Sequence, residues 1–312
     1  MLPRPTTGAL SRRRVLSLPA LTAVGATGLA VTGCSRTPEV PDMTDPDADP
    51  GAGPDAAAAG EPRQVAYGDD PSQYGELTLP DGEPVGVAVL VHGGFWRAQY
   101  GLEYAQPLVP SLVDAGWATW VVEYRRVGSG EGGGGGVPET LDDVRAALAL
   151  LTEPSRTGVD LPLERVVGLG HSAGGHLVTW AAGPHGPGVL THVISQAGVL
   201  DLAGAATAGL GAGAVEEFLG HPYGPEDAWV DPLTQVPLDV PVWCVHGDAD
   251  TNVPPSQSLA YVEAATAAGA RAELVEVVGD HFVVIDPGSQ AWSRTLVLLD
   301  GLVDGAGTAP TS

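Results

Sequence analysis

The sequence predicts an α/β fold: a mostly parallel central sheet with helices on both faces. Three observations carry that expectation. From about residue 64 onward, short apolar runs alternate with helix-patterned segments. The run at 85–91, VGVAVLV, is apolar throughout, as suits a strand buried on both faces. The apolar run at 165–169 passes through the tight turn Gly170-His171-Ser172-Ala173-Gly174 directly into a helix-like segment, 173–182.

The elements follow in order. A strand at 85–91 precedes a helix over 103–115, broken near its start by Pro107 and Pro110. The next strand is 117–122. A helix at 140–151 sets Leu141, Val144, Leu148 and Leu151 on one face, with Asp142 and Asp143 in the first turn, where acids suit the helix dipole. Strands follow at 165–169, 192–196 and 240–245. Pro254 and Pro255 open a helix at 256–268. A strand at 272–278 and a helix at 290–302 close the pattern. In such a sheet, functional groups gather at the carboxyl ends of the strands.

Two regions break the rhythm. Residues 128–136 are nearly all glycine and are expected to be a mobile connector. They carry no lysine and no Gly-x-x-x-x-Gly-Lys-Ser/Thr pattern, so a phosphate-binding loop is unsupported. Residues 199–239 hold one short helical piece, 214–219, among Gly, Pro and Asp. They are expected to form a small cap over the site.

All 14 basic residues are arginine, and the formal net charge is −24. Nucleic acid and a bare anionic membrane are therefore poor electrostatic partners. The first residues have another purpose. Ser11-Arg12-Arg13-Arg14-Val15-Leu16 resembles a twin-arginine export signal, and a small-residue apolar stretch follows it. Val31-Thr32-Gly33-Cys34 resembles a bacterial lipobox, whose cysteine is lipidated and becomes the new N-terminus. The expected organisation is an export signal at 1–33 and a Pro/Asp/Ala-rich linker at 34–63. The folded domain spans 64–304, with its cap at about 199–239, and a flexible tail covers 305–312. The other cysteine, Cys244, sits in the apolar run 240–245 and reads as a buried structural thiol. With two cysteines, no disulfide framework or thiolate metal site is available.

The turn at 170–174 matches Gly-x-Ser-x-Gly. Its glycines relieve a turn too sharp for bulky neighbours, and its serine would stand near a helix N-terminus, where negative charge is stabilised. A serine hydroxyl needs a histidine to take its proton, and the histidine needs a carboxylate to fix its tautomer. After the strand at 240–245 comes His246-Gly247-Asp248-Ala249-Asp250, and after the strand at 272–278 comes Gly279-Asp280-His281. The candidates are thus Ser172, Asp250 and His281, in that chain order. Asp248, Asp201 and Asp280 are weaker rivals, better suited to turn or cap roles. After the strand at 85–91, His92-Gly93-Gly94-Phe95-Trp96 offers backbone N–H groups for an oxyanion. Phe95, Trp96, Tyr100 and Trp229 are candidates for a pocket, and the loop of Phe95 and Trp96 must face the site. Arg125 and Arg126 suit a salt bridge to a cap acid.

With these motifs, the chain resembles the α/β-hydrolase superfamily over about 64–304. It is similar to the small esterases of the feruloyl-esterase-like and arylformamidase-like group, and to the catalytic domain of prolyl oligopeptidases. The resemblance implies a Ser172 nucleophile, a His281 base oriented by Asp250, and oxyanion donors at Gly94, Phe95 and Ala173. Trp96 would line the substrate pocket. His92 and His246 would brace loops. Phe95 stands where lipases of the hormone-sensitive type carry a third glycine. The implied activity is hydrolysis of a small-molecule carboxylic ester through an acyl-enzyme, without metal or organic cofactor and with membrane contact only through the lipid on Cys34. An arylformamidase-like amide hydrolase, a small oligopeptidase and a non-catalytic binding protein of the same fold are the alternatives. Oligopeptidases of that type usually carry a β-propeller, which 35–63 cannot make. Oligomeric state is left open.

Overall fold

The computed structural model describes residues 60–305. The export signal at 1–33, Cys34, most of the linker and nearly all of the tail lie outside the described residues. Eight strands form one sheet in the order β1-β2-β4-β3-β5-β6-β7-β8. They are β1 (Arg63–Ala66), β2 (Tyr74–Thr78), β3 (Val87–Val91), β4 (Ala118–Val122), β5 (Val166–His171), β6 (His192–Gln196), β7 (Val242–Gly247) and β8 (Ala272–Val277). From β4 to β8 every pairing is parallel. The first two strands add an antiparallel edge that the sequence did not announce. β1 reads RQVA and β2 reads YGELT, short and mixed in polarity, so neither shows the apolar run that marks a central strand.

Each strand from β3 to β7 lies between two cores. On one face Val87, Val89, Trp120 and Val122 pack with Leu148 of α2 (Glu139–Leu150) and Leu177 of α4 (Ala173–Ala181). On the other, Ala88, Leu90, Leu169 and Ile194 meet Leu112 of α1 (Val109–Asp114) and Trp292 and Leu299 of α8 (Gln290–Val303). That double burial is why β3 reads as an unbroken apolar run, whereas β6, HVISQ, keeps the polar Ser195 and Gln196 buried at its carboxyl end. A four-residue α3 (Pro154–Thr157) links α2 to β5, and α7 (Ser256–Ala267) packs Tyr261 into the first core. Cys244 is buried in β7, and burial pushes its thiol up to about 12.

Three expectations need correction. The helix expected over 103–115 divides into two 3-10 turns, Leu102–Tyr104 and Gln106–Leu108, before α1 begins. Pro107 and Pro110 deny the backbone the N–H groups that one continuous helix would need. The region 199–239 is richer in helix than expected. Besides α6 (Ala214–Leu219) it holds α5 (Leu202–Thr207), whose N-terminus Asp201 caps by accepting from the Gly204 N–H at 2.8 Å. The glycine run at 128–136 is not a bare connector. It folds back on β4's end, with the Arg126 N–H donating to the Gly132 carbonyl and the Gly135 N–H to the Arg126 carbonyl.

Candidate active site

The turn after β5 holds Ser172 at φ 55°, ψ −117°, a conformation that costs a non-glycine residue strain. The flanking glycines are steric necessities. A Cβ at Gly170 would lie 2.1 Å from the Gly174 carbonyl oxygen, and one at Gly174 would lie 2.0 Å from that of Val91. The strained turn carries Ser172 to the mouth of a cavity of about 150 Å³ at the carboxyl ends of the strands. His281 and Gly93, Gly94 and Phe95 line the same cavity.

His281 stands on the loop after β8. Its Nδ1 lies 2.6 Å from Asp250 Oδ2. The other oxygen of Asp250 accepts the N–H groups of Asn252 (2.8 Å) and Val253 (2.9 Å). Burial pushes the Asp250 carboxyl up, but hydrogen bonds from His246, His281 and Val253 outweigh it and hold the group well below the usual carboxylate range. Asp250 is therefore ionised at neutral pH, and the imidazole of His281 donates from Nδ1 and turns Nε2 outward as an acceptor. The rival acids are occupied elsewhere. Asp248 accepts from the Gly279 N–H and Asp280 from the Phe282 N–H, both as turn residues.

The loop after β3 carries the candidate donors. Gly94 has φ +109°, and Phe95 and Trp96 have φ 54° and 55°. Among the described residues, neither the Gly94 nor the Phe95 N–H donates to a backbone carbonyl. The Ala173 N–H is one of the first in α4, which have no partner within the helix. His92 fixes the loop: its Nδ1 lies 2.8 Å from the Gly93 carbonyl and its ring stacks on Tyr124 at 4.4 Å. Below it sits a buried group that the sequence reading missed. Glu123, at the end of β4, accepts from the Leu102 N–H at 3.0 Å and pairs with the Arg126 guanidinium. Arg126 thus bonds inward to Glu123 and not to a cap acid, while Arg125 pairs with Asp143 of α2. The position of Glu123 just past a strand end was the available signal. Burial, then the charge of Arg126, push the His92 imidazole down to about 3, so it is neutral.

Trp96 does not line the cavity. It is fully buried, stacked on Phe218 of the cap at 4.6 Å and edge-on to His176. Two successive residues at positive φ reverse the chain here, so Phe95 faces the cavity and Trp96 turns beneath the cap. The cavity walls come from Phe95, Tyr100, Tyr104 and Phe282, with Asn252 at the rim. Trp229 lies away from this cavity; its carbonyl accepts from the Trp180 indole N–H. The cap is tied to the loop by Arg97, whose guanidinium donates to Glu217 and to the Gly211 carbonyl. His171, beside Ser172, lies 3.0 Å through Nε2 from the His281 carbonyl. His221, Glu226 and Asp227 of the cap stand close enough together to share a metal ion, but none lines the cavity of Ser172.

A model of the prolyl oligopeptidase family matches residues 138–295, slightly more than half of the chain. No curated protein matches. Among solved structures, a truncated carbohydrate esterase from gut microbiota is 19% identical, with a TM-score of 0.65 over 77% of this chain and 95% of its own. Esterase 2 of Thermogutta terrifontis, phosphoramylated by tabun, is 23% identical, with a TM-score of 0.63 over 82% of this chain and 98% of its own. The propionate-bound form of that esterase is 25% identical, with a TM-score of 0.61 over 80% and 97%. These likenesses agree with the α/β-hydrolase fold of the eight-stranded sheet.

Proposed function

The chain belongs to the prolyl oligopeptidase family of serine hydrolases with the α/β-hydrolase fold, and from that premise we propose that it cleaves carboxylic esters through an acyl-enzyme on Ser172. The observation that carries the proposal is the convergence, in one cavity, of a strained serine, a histidine bonded to a buried aspartate, and a loop with unspent N–H groups. His281 Nε2 takes the Ser172 proton as Oγ attacks the carbonyl carbon. The oxyanion is held by N–H groups drawn from Gly94, Phe95 and Ala173. Collapse breaks the bond to the leaving oxygen, which takes the proton from His281. Water then attacks the acyl-serine by the same route, and Ser172 regains its proton.

Esters are favoured over peptides by the small aromatic-walled cavity, and by the names of the structural neighbours, which are esterases. The family match favours a second reading, hydrolysis of a peptide or other amide. A panel of aryl esters, feruloyl esters, N-formylkynurenine and amino-acyl anilides separates them. The ester reading expects kcat/KM for esters to exceed that for anilides, and anilides turned over faster would overturn it.

The same proposal includes export by the twin-arginine-like signal and anchoring through lipid on Cys34 at the outer face of the cytoplasmic membrane. Cells fed labelled palmitate should label the wild type and not Cys34→Ala. Equal labelling would remove the anchor.

A further inference from the structure

A second histidine holds the same carboxylate as His281. His246 lies at the end of β7, fully buried, with its Nε2 3.2 Å from Asp250 Oδ2 and 2.9 Å from the Val253 carbonyl. Its Nδ1 lies 2.7 Å from Ser258 Oγ, on the first turn of α7. Both neighbours of Nε2 are acceptors, so the ring proton belongs there. Nδ1 is then the acceptor, and the Ser258 hydroxyl donates to it. Ser258 is itself fully buried and touches the Cys244 thiol. The groups facing His246 are thus Asp250, Ser258 and the Val253 carbonyl, with Cys244, His281 and His171 behind them.

We infer that His246 is a positioning residue for hydrolysis: its Nε2–H shares Asp250 Oδ2 with His281 and so sets the plane and the basicity of the carboxylate. The inference rests on Ser172, Asp250 and His281 being the triad. Four N–H groups face Asp250, two on each oxygen: the two backbone N–H groups on Oδ1, and on Oδ2 the His281 imidazole and the His246 Nε2–H, which the Val253 carbonyl shares. A carboxylate has about four acceptor directions, so every one is filled and rotation about its Cβ–Cγ bond would break several bonds. The unequal lengths, 2.6 Å to His281 and 3.2 Å to His246, leave the stronger bond with the base. The Ser258 hydroxyl holds the ring from the other side by donating to Nδ1. If the ring proton moved to Nδ1, two acceptors would face a bare Nε2 lone pair.

Loss of that donor has two consequences. The carboxylate is freer to tilt, which costs kcat. It also becomes a stronger acceptor for His281, which favours the imidazolium, so the acid limb of the kcat/KM profile moves to higher pH. The test compares His246→Phe and His246→Gln in the full chain, using a chromogenic aryl ester. Phe removes the donor, whereas Gln can place an amide N–H near Nε2. The expected result for Phe is a fall in kcat of about 10- to 100-fold, from one lost bond to a charged group. KM should stay within about twofold, and the acid limb should move up. Gln should restore most of the rate and the wild-type limb. Equal losses in Phe and Gln with an unmoved limb would make His246 a packing residue and overturn the inference. So would a folded Phe variant with the wild-type rate.

If Phe at position 246 does not fold, Ser258→Ala decides. Removing the hydroxyl takes away the bond that holds the His246 ring against Asp250, and the expected result is a several-fold lower kcat with the same upward movement of the limb. An unchanged profile would overturn the inference. Fluorophosphonate labelling of the wild type runs beside these assays. No label on wild-type Ser172 would overturn the triad and this inference together; label with unchanged variant kinetics would overturn this inference alone.

Discussion

Strand β7 ends in two different cavities, and only one of them carries the candidate site. At its amino end a cavity of about 230 Å³ is lined by Pro241, Val242, Trp243 and Thr266, with Arg271 and Glu273 beside them. At its carboxyl end the chain runs through His246 to Asp250, beside the smaller cavity of about 150 Å³ that holds Ser172 and His281. The larger cavity has ordinary backbone around it and no nucleophile paired with a base. The smaller one gathers positive-φ residues at Phe95 and Ser172, a buried acid below its usual range and unspent N–H groups. Size does not mark the working end of this sheet. Strand direction does, because parallel strands bring all their carboxyl-end loops to one edge.

The sharpest way to break the comparison is to remove Ser172. Ser172→Ala should lower kcat/KM for an aryl ester by about 10⁵- to 10⁶-fold in a steady-state assay, because the acyl-enzyme cannot form. Asp250→Asn should come next, with a loss on the order of 10³- to 10⁴-fold in kcat, since an amide at Oδ2 favours the wrong tautomer of His281. Gly94→Ala tests the donor loop. A Cβ there would lie 2.3 Å from Tyr100 Cβ, on a residue at φ +109°. The displaced loop should cost about 10²-fold in kcat, with labelling at Ser172 slowed in parallel. At the other end of β7, Thr266→Lys at the rim of the larger cavity should leave kcat/KM within about twofold in the same assay. A large loss there would erase the distinction between the two ends.

A smaller effect concerns stability and pH. Burial, helped by Arg126 at His92 and by the adjacent His281 ring at His171, pushes His92 and His171 down to about 3, and burial pushes His176 down to about 4. Unfolded histidine takes a proton near pH 6.5. Below that pH the unfolded chain binds more protons than the folded one, so stability falls as the pH drops from about 7 to about 5. Thermal melting at the two pH values should show the decline, and His176→Gln should make it shallower. A flat Tm over that interval would mean that these rings are not held neutral.

Much of this site was legible in the sequence for a physical reason. Strands buried on both faces are mostly apolar, so their ends are visible, and the candidate residues sit at those ends. Ser172, Asp250, His281 and the loop at 92–96 each follow such a run. The edge strands β1 and β2 were not legible, because a half-exposed edge needs no continuous apolar pattern. Trp96 was misplaced for a related reason. Its loop faces the cavity, but two consecutive positive-φ residues, invisible in a sequence, send its ring under the cap onto Phe218. Glu123 was overlooked because a lone acid after a strand resembles a solvated turn until the burial of Arg126 and His92 around it is seen.

The account stands on Ser172 being a nucleophile, and covalent capture tests that most directly. The full chain treated with a fluorophosphonate should gain one adduct, mapped by peptide mass spectrometry to Ser172. Ser172→Ala should gain none, and His281→Ala should react far more slowly. An unmodified wild-type chain, or an adduct on another residue, would contradict the account.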